Sequence, residues 1–397
     1  MEPQPHLQPV RSYELDLLRF LAALAVVLYH YTYRGFAADH LSPVSYPAID
    51  GVTRYGYLGV ELFFLISGYV VLLSAYGKTV KQFFLSRVTR LYPAFWAACT
   101  ATFLFVRLLG PRLAPTDAHY SPYLAVYFKQ YAVNMTMLFD YFGYLNLDTA
   151  YWSLTYEISF YFLITLLISY NLLTNIPPVI AGWLLLTLGC YLVLGSDSHA
   201  PVTYLFIPRY SPYFAAGMLF YLLQHRMAAA GRLYALLLGA WALALYTAHH
   251  EMNNLNQIFH NPAAYSYPVV AGVTTGFFLV FWLMVKRVFV LSPSPWLLLL
   301  GSLTYPLYLI HSNIGYVAYQ RLAPFMGRWP LLLLLVGSML GLACLIHVLV
   351  ERRLSKILSR VVHALLLRLA PAPPAQGHTS LFKLGNKKTA GLSNPIG

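Results

Sequence analysis

Residues 330–350 read PLLLLLVGSMLGLACLIHVLV and contain no Asp, Glu, Lys or Arg. A helix of this length is about 31 Å long, which matches the roughly 30 Å hydrocarbon core of a bilayer. The whole chain has the same character, since 59% of its 397 residues are hydrophobic and 10% are charged, against roughly 25% charged in soluble domains. Its mean hydropathy is +0.59. The sequence therefore predicts an all-α polytopic membrane protein and excludes a soluble enzyme, a disordered chain and a secreted disulfide scaffold.

About ten segments satisfy the length and apolarity that a membrane-spanning helix needs. The predicted spans are 15–33, 57–76, 91–110, 151–170, 177–194, 205–224, 233–249, 267–285, 296–316 and 330–350. Segment 120–140 is apolar and aromatic but carries Lys129 and Asn134, so we interpret it as interfacial or re-entrant. A signal peptide is the competing interpretation of the N-terminus. No clear small-residue cleavage site follows the apolar run, so residues 15–33 are predicted to be a retained first helix.

The positions of the basic residues predict the orientation of the bundle. With the N-terminus inside, 17 of the 26 Lys and Arg lie in inner loops and tails and 8 in outer segments, as the positive-inside rule requires. This distribution accounts for the net charge of +13 better than nucleic-acid binding does. We therefore expect both termini to be cytoplasmic, with residues 1–14 as an N-terminal tail. Residues 356–397 are expected to form a basic, disordered C-terminal tail, since Pro, Gly, Ala and Lys dominate after about Ala370.

The first predicted span contains three ionisable side chains, Asp16, Arg19 and His30. An ionisable residue at mid-bilayer costs about 2.5–3.5 kcal/mol, so intramembrane examples usually have a partner or a function. Arg19 and His30 are eleven residues apart, which places them on one helix face about 16 Å apart along the axis. The alternative is structural: Arg19 would extend to the inner headgroups, and His30 would sit in an aromatic belt.

The second and third spans carry two further candidate features. The second span carries the ionisable residue Glu61 near its start. Further along the span, the small residues Ser67 and Gly68 allow a backbone or a ligand to approach closely. Arg87 and Arg90 are i, i+3 neighbours whose guanidinium groups can converge on one anion, and arginine suits phosphates well. Plain helix packing and an anchor on anionic lipid are the respective alternatives.

Polar residues also recur in the fourth and ninth spans. Directly after Trp152, the residues Ser153, Glu157 and Tyr161 recur every four positions. They are predicted to form one polar stripe that faces the bundle. An ion pair with Arg19 is the structural alternative for Glu157. In the ninth span, residues 302–311 include Tyr305 and end in His311, for which a hydrogen-bonded packing role competes with catalysis.

Taken in order, these stretches resemble the acyltransferase-3 family of integral membrane O-acyltransferases. The resemblance covers residues 13–355, and its motifs are specific as an ordered set. They are Leu15 to Arg19 through His30, Gly59 to Phe64 with Ser67 to Tyr69, Arg87 to Pro93, Trp152 to Leu154 with Glu157, and Ser302 to His311, with weaker matches at Arg209, Phe214, Gly217 to Met218 and Val350 to Arg352. Two positions depart from the pattern: Glu61 replaces the more usual aspartate, and Arg353 stands where proline is common.

The resemblance implies transfer of an acyl group, most often acetyl, from cytoplasmic acyl-CoA to a hydroxyl of a cell-surface or exported carbohydrate. It implies His30 as general base, with Arg19 and Glu157 as further catalytic residues, and Arg87, Arg90 and Ser67 as donor-binding residues. Supporting roles fall to Asp16, Glu61, Trp152, Ser153, Tyr305 and His311. Acetyl-CoA or another acyl-CoA is expected as co-substrate, with no tightly bound cofactor, no metal and no nucleic-acid partner. The protein is expected to lie in the bacterial inner membrane and to contact membrane lipid.

Two other functions remain open on the sequence. A transporter or flippase would use the same buried charges as a substrate or proton path, and inverted repeats would favour it. No such repeat is evident from the lengths of the spans or their breaks. An acyltransferase with another donor, such as succinyl-CoA, or with a lipid or small-molecule acceptor is the second alternative. A serine acyl-enzyme is a weaker mechanism, since no pairing of a serine with a base is evident from spacing.

Overall fold

The computed structural model describes residues 12–112, 121–195, 201–259 and 264–368. Fifteen α-helices and no β-strand occur in these ranges, as the sequence predicts. The helices are α1 Tyr13–Tyr29, α2 Gly35–Ala37, α3 Asp50–Thr53, α4 Gly59–Ala75, α5 Val80–Leu109, α6 Phe128–Asn134, α7 Trp152–Ser169, α8 Ile176–Leu194, α9 Pro201–Phe206, α10 Ser211–Gln224, α11 Ala230–Ile258, α12 Tyr267–Val285, α13 Pro295–Leu322, α14 Arg328–Leu345 and α15 Arg352–Arg368.

Nine helical segments within the described ranges are long and apolar enough to cross a membrane. They are Tyr13–Ala37, Asp50–Ala75, Val80–Leu109, Trp152–Ser169, Leu172–Leu194, Ala230–Ile258, Tyr267–Val285, Pro295–Phe325 and Arg328–Ala364. Each overlaps one of the ten predicted spans. The third begins eleven residues earlier than predicted because a capping box at Thr79 and Gln82 starts the helix there. Arg87 and Arg90 therefore lie within α5.

The remaining predicted span, 205–224, corresponds to a shorter helix. Helix α10 has 14 residues, or about 21 Å, and its residues 211–222 are all buried. It begins at Ser211 because the backbone of Ile207 is left-handed and two prolines follow, the second of which, Pro212, occupies the first turn of α10. This helix is enclosed by its neighbours over most of its length.

In the part of the segment predicted to be interfacial or re-entrant that the structure describes, residues 121–140, the seven-residue α6 follows a 3₁₀-helical turn at Pro122–Leu124. Its last residue, Asn134, is fully buried. The Asn134 amide donates to the carbonyl of Leu145 at 3.0 Å and accepts from the amide nitrogen of Leu147 at 2.8 Å. These bonds hold the loop that precedes α7. Asn134, whose polar side chain argued against a membrane span in this segment, therefore has a structural role.

Two close helix contacts organise the centre of the bundle. Helices α1 and α13 run parallel and pack along their lengths, so residues near the start of one lie beside residues near the start of the other. Helices α4 and α10 cross at Gly68 and Gly217, where a Cβ on Gly68 would meet the carbonyl of Phe214 and one on Gly217 the carbonyl of Leu65. Of the two small residues predicted at this point of the second span, Gly68 therefore serves helix packing.

Helix α15 corrects part of the predicted C-terminal tail. Residues 352–368 are helical and continue from α14 through a π-helical turn at Ile346–Glu351. The disorder expected from residue 356 onward is therefore wrong as far as Arg368, because the apolar residues of this stretch recur at helical spacing and form one face. Leu354, Ile357 and Val361 on that face are exposed in the isolated chain. Residues 369–397 of the predicted tail, and residues 1–11 of the predicted N-terminal tail, lie outside the described ranges.

Candidate functional site

One cavity collects half of the predicted site residues, six of twelve, at the end of the bundle where α1 begins. It encloses about 840 Å³, including its open mouth. Its polar lining comes from five helices and consists of Arg19, Ser67, Arg90, Ser153, Glu157, Tyr161, Thr304, Tyr305 and Tyr308. Arginine, carboxylate and hydroxyl groups thus face one shared space.

Arg19 is held in place by its own helix and by α13. Its Nη1 lies 3.8 Å from Oδ1 of Asp16, one turn earlier. Asp16 is buried against Gly301 of α13, where a Cβ would meet the carboxylate at 2.5 Å. The ion pair found for Arg19 among the described residues is therefore with Asp16, and Glu157 is available for another role.

The polar stripe predicted on the fourth span is present. Ser153, Glu157 and Tyr161 of α7 all line the cavity. The Tyr161 hydroxyl donates a short hydrogen bond to Oε1 of Glu157, and Oγ of Ser153 lies 2.7 Å from the Tyr308 hydroxyl of α13. Because a carboxylate that accepts one hydrogen bond keeps further lone pairs, Glu157 can also accept from a bound ligand.

The two arginines of α5 do not face the same space, contrary to the predicted convergence on one anion. Arg90 is exposed and lines the cavity. Arg87 is buried, and its guanidinium carbon lies 5.4 Å from the Phe83 ring centre and 5.5 Å from that of Tyr161. The i, i+3 offset puts Arg90 toward the cavity and leaves Arg87 behind Tyr161, where cation–π contacts hold it.

His30 lies outside this cavity, directly after the last residue of α1. It begins a π-helical segment, His30–Arg34, in which the backbone N–H of Gly35 bonds to the His30 carbonyl. Such π-bulges are frequent at functional sites. The His30 ring is 5% exposed. Its Nδ1 lies 2.7 Å from the Tyr316 hydroxyl and 3.4 Å from Oγ of Ser312.

His311 connects the two halves of the site. Its ring centre lies 5.0 Å from that of His30 and 5.6 Å from that of Tyr308, which lines the cavity. The Nδ1–H of His311 donates to the Tyr308 carbonyl at 2.8 Å, and Nε2 is buried without a hydrogen-bond partner among the described residues. A chain of ring contacts therefore leads from the cavity wall to His30.

The loop before α7 closes the site on one side. Oδ1 of Asp148 accepts the amide N–H of Ala150 and Oδ2 that of Asn313, both at 2.9 Å. Burial raises the pKa of Asp148 to about 7, although these two bonds favour its carboxylate form. The Thr149 hydroxyl makes a short hydrogen bond with Ser312, next to His30. The loop thus adds polar groups to the histidine pair.

Two predicted supporting residues lie away from both the cavity and the histidines. Glu61 is buried, and its Oε2 has no hydrogen-bond partner within the described ranges. The Trp152 ring packs on those of Tyr210 and Tyr156, at 5.6 and 5.8 Å between ring centres. Tyr305, by contrast, lines the cavity and donates to the Leu91 carbonyl at 3.3 Å.

The family follows from a comparison of the sequence with models of known families. Residues 12–348 match a single family model, the acyltransferase-3 model, described as an acyltransferase domain. The chain belongs to the acyltransferase-3 family. Since the match includes Arg19, His30, the cavity and α13, both halves of the site lie inside the acyltransferase domain.

Curated relatives with partial similarity carry O-acetyltransferase names. The putative peptidoglycan O-acetyltransferase YrhL of Bacillus subtilis is 28% identical over 156 residues, which is 37% of this chain and 22% of that protein. The O-acetyltransferase OatA of Staphylococcus aureus is 29% identical over 167 residues, 40% of this chain and 25% of that protein. The matched stretches thus span about a quarter of the relatives. No solved structure matches the acyltransferase chain.

Three residues of α13 that belong to the candidate site were not identified from the sequence. Tyr308, Ser312 and Tyr316 recur every four residues along α13, and together they extend from the cavity to His30. The spacing rule that found Ser153, Glu157 and Tyr161 applies equally here. The same rule would have identified these three residues if it had been applied to α13 with Tyr308 and Tyr316 counted as polar residues.

Proposed function

We propose that this protein is a membrane-bound O-acyltransferase that moves an acyl group, in the simplest case acetyl, from acyl-CoA to a carbohydrate hydroxyl. The observation that carries the proposal is the continuous path from the arginine-containing cavity through Tyr308 and His311 to His30. Membership of the acyltransferase family supports the reaction class. The names of the relatives support acetyl transfer to a cell-wall carbohydrate.

In this proposal the cavity receives the donor. Arg90 and Arg19 would bind phosphate or carbonyl oxygens of acyl-CoA, because a guanidinium group forms strong charge-assisted hydrogen bonds with such acceptors. Arg87 would support the site from behind Tyr161 rather than contact the donor. Ser67 and Ser153, which also line the cavity, would supply hydroxyl groups for the rest of the donor. Acyl-CoA is a co-substrate here.

His30 acts as the general base on the acceptor. Its free ring nitrogen takes the proton from the acceptor hydroxyl while the hydroxyl oxygen attacks the thioester carbonyl. The carbon–sulfur bond then breaks, the CoA thiolate leaves and takes up a proton, and the new ester stays on the acceptor. Arg19 lies about 16 Å from His30 along the helix axis, so in this proposal it would hold a distant part of the donor and not the reacting thioester. A serine acyl-enzyme is not needed in this sequence of steps.

The proposed location is a bacterial inner membrane with both termini in the cytoplasm. The distribution of basic residues supports this orientation. In this orientation, Arg90 and the cavity would face the cytoplasmic acyl-CoA pool. His30, further along α1, would lie toward the outer side, where a surface or exported carbohydrate arrives.

The test uses the full chain, purified in lipid nanodiscs, with radiolabelled acetyl-CoA and a panel of glycans that includes peptidoglycan fragments. We expect label on a glycan hydroxyl in a base-labile ester. Succinyl-CoA and lipid or small-molecule acceptors run in parallel to identify another donor or acceptor. Absence of transfer to every acceptor, together with substrate uptake into proteoliposomes, would contradict the proposal and favour a transporter.

A further inference from the structure

A chain of four side chains extends from His30 to the end of the bundle beyond α1. Nδ1 of His30 lies 2.7 Å from the Tyr316 hydroxyl. The same hydroxyl donates to Oδ2 of Asp39 at 3.1 Å, and Asp39 forms an ion pair with Nε of Arg34 at 3.0 Å. Tyr316 is fully buried, and Asp39 is mostly shielded. None of these partners was identified from the sequence.

The donor and acceptor roles along this chain are determined by Asp39. A carboxylate only accepts hydrogen bonds, and the Asp39 carboxylate forms an ion pair with Arg34. The single proton of Tyr316 therefore points to Asp39. The Tyr316 oxygen must then accept, so that Nδ1 of His30 carries the ring proton. Both hydrogen-bond contacts of the His30 ring found among the described residues are at Nδ1, which leaves Nε2 unprotonated and free.

We infer that Tyr316 and Asp39 are positioning residues that hold His30 in its Nδ1–H tautomer, so that Nε2 is the basic atom. This inference rests on the proposed function for its catalytic consequence, but the tautomer itself does not. When Nε2 takes up the acceptor proton, the imidazolium charge is stabilised through Tyr316 by the Asp39 carboxylate. The arrangement is that of a base oriented by a third group.

The backbone at the π-helical segment is shaped for this contact. A Cβ on Gly35 would meet Cε1 of Tyr316 at 2.6 Å and the His30 carbonyl at 2.9 Å. A residue without a side chain is therefore required for Tyr316 to reach His30. The π-bulge that begins at His30 also turns Arg34 toward Asp39. Sequence, backbone and hydrogen bonds thus converge on one orientation of the ring.

His311, the other histidine of the pair, has a different arrangement. Its Nδ1–H donates to the Tyr308 backbone carbonyl, and no carboxylate stands behind it within the described ranges. Its Nε2 is free as well. The two rings meet edge to face at 5.0 Å. The contact to Tyr316 and Asp39 is what selects His30 as the base of the two.

The test compares Tyr316→Phe with Tyr319→Phe. Both change a fully buried tyrosine of α13 by one oxygen, and the Tyr319 hydroxyl bonds to Tyr46 at 3.1 Å instead of to His30. The first readout is nitrogen NMR of protein carrying ¹⁵N-labelled histidine, with the His30 signal assigned by its loss in His30→Gln. We expect Nδ1-protonated His30 in the wild type and in Tyr319→Phe, and a shift toward the other tautomer in Tyr316→Phe.

The second readout is acyl transfer. We expect Tyr316→Phe to lower kcat about 10- to 100-fold with little change in the KM for donor or acceptor, as loss of a supporting partner typically does. An unchanged His30 tautomer in Tyr316→Phe would overturn the inference, whatever the activity. A shifted tautomer together with an active His30→Ala variant would instead overturn His30 as the base in the proposed function. Should Tyr316→Phe fail to accumulate, Asp39→Asn takes its place in the same two measurements.

Discussion

At the scale of single residues, the two ends of α1 have separate tasks. Arg19 contributes to a cavity that opens at one end of the bundle, whereas His30 is buried among aromatic rings and hydroxyl groups. Their separation of about 16 Å follows from eleven helical residues. A donor with a long flexible arm can occupy both environments at once, which a compact substrate cannot.

Replacement of His30 tests the base directly. We expect His30→Ala to abolish acyl transfer, because general-base assistance is typically worth about 10²–10⁴-fold. His30→Gln keeps a hydrogen-bonding group but no basic atom, so it should be equally inactive. Transfer is measured with radiolabelled acetyl-CoA at equal amounts of membrane-inserted protein. His225→Ala, a histidine at the end of α10 away from the site, should keep wild-type activity. An active Gln variant would move the base to His311 or Glu157.

The arginines of α5 give a second prediction at this scale. Arg90→Ala should weaken acyl-CoA binding about 10- to 150-fold, the equivalent of one charge-assisted hydrogen bond of about 1.5–3 kcal/mol. Arg87→Ala should chiefly lower the thermal stability of the protein, because Arg87 is buried between aromatic rings. Calorimetric titration with CoA and unfolding in detergent measure the two effects. The exposed Arg226 is the control. Equal loss of CoA binding in both variants at unchanged stability would show that the two arginines act as a pair.

At the scale of secondary-structure elements, one of the two π-helical interruptions in the described ranges coincides with the site. A π-helical turn begins at His30 and another at Ile346, and in the second the Nδ1 atom of His347 forms a hydrogen bond with Oε2 of Glu351 at 2.7 Å. Each adds one residue to a turn and rotates the side chains that follow. In α1 this rotation brings Arg34 to Asp39.

The crossing of α4 and α10 provides a prediction at this scale. Gly68→Ala should destabilise the protein by more than about 2 kcal/mol, because the added Cβ would collide with the backbone carbonyl of Phe214, which cannot move aside as a side chain can. Gly182→Ala in α8 is the matched control, since a Cβ there meets nothing within 4 Å. That change should be neutral or stabilising by up to about 1 kcal/mol. Thermal unfolding in detergent measures both, and equal stability of the two variants would contradict the close crossing.

At the scale of the whole molecule, parallel packing of α1 and α13 places the cavity and the histidine pair at different depths. The cavity lies beside the starts of these helices, and the histidines lie beside their later turns. If the bundle spans the membrane with α1 starting inside, donor and acceptor can approach from opposite faces.

Reporter fusions test this orientation. Fusions after residues 77, 227 and 290 should report the cytoplasm, and those after residues 44 and 326 the outer side, because 17 of the 26 basic residues then lie inside. Paired alkaline phosphatase and fluorescent-protein reporters at each position provide the control. The reversed pattern would place Arg90 on the outer side and remove it from any cytoplasmic donor.

Composition and pattern alone determined the fold class, nearly all of the spans and the candidates Arg19, His30, Glu157 and Arg90. This was possible because burying charge in a bilayer is costly, so ionisable residues in apolar runs are few and informative. Helix ends were less predictable where local caps or prolines decided them, as at Thr79 and Pro212.

Only the tertiary structure decided which candidates share a space. It separated Arg87 from Arg90, placed His30 outside the cavity, and brought Tyr316 and Asp39 to its ring. Periodicity within one helix assigns residues to a face, but the neighbour of that face depends on how distant helices pack. His30 and Tyr316 are 286 residues apart, and their contact depends on a glycine at position 35 that leaves room for an aromatic ring.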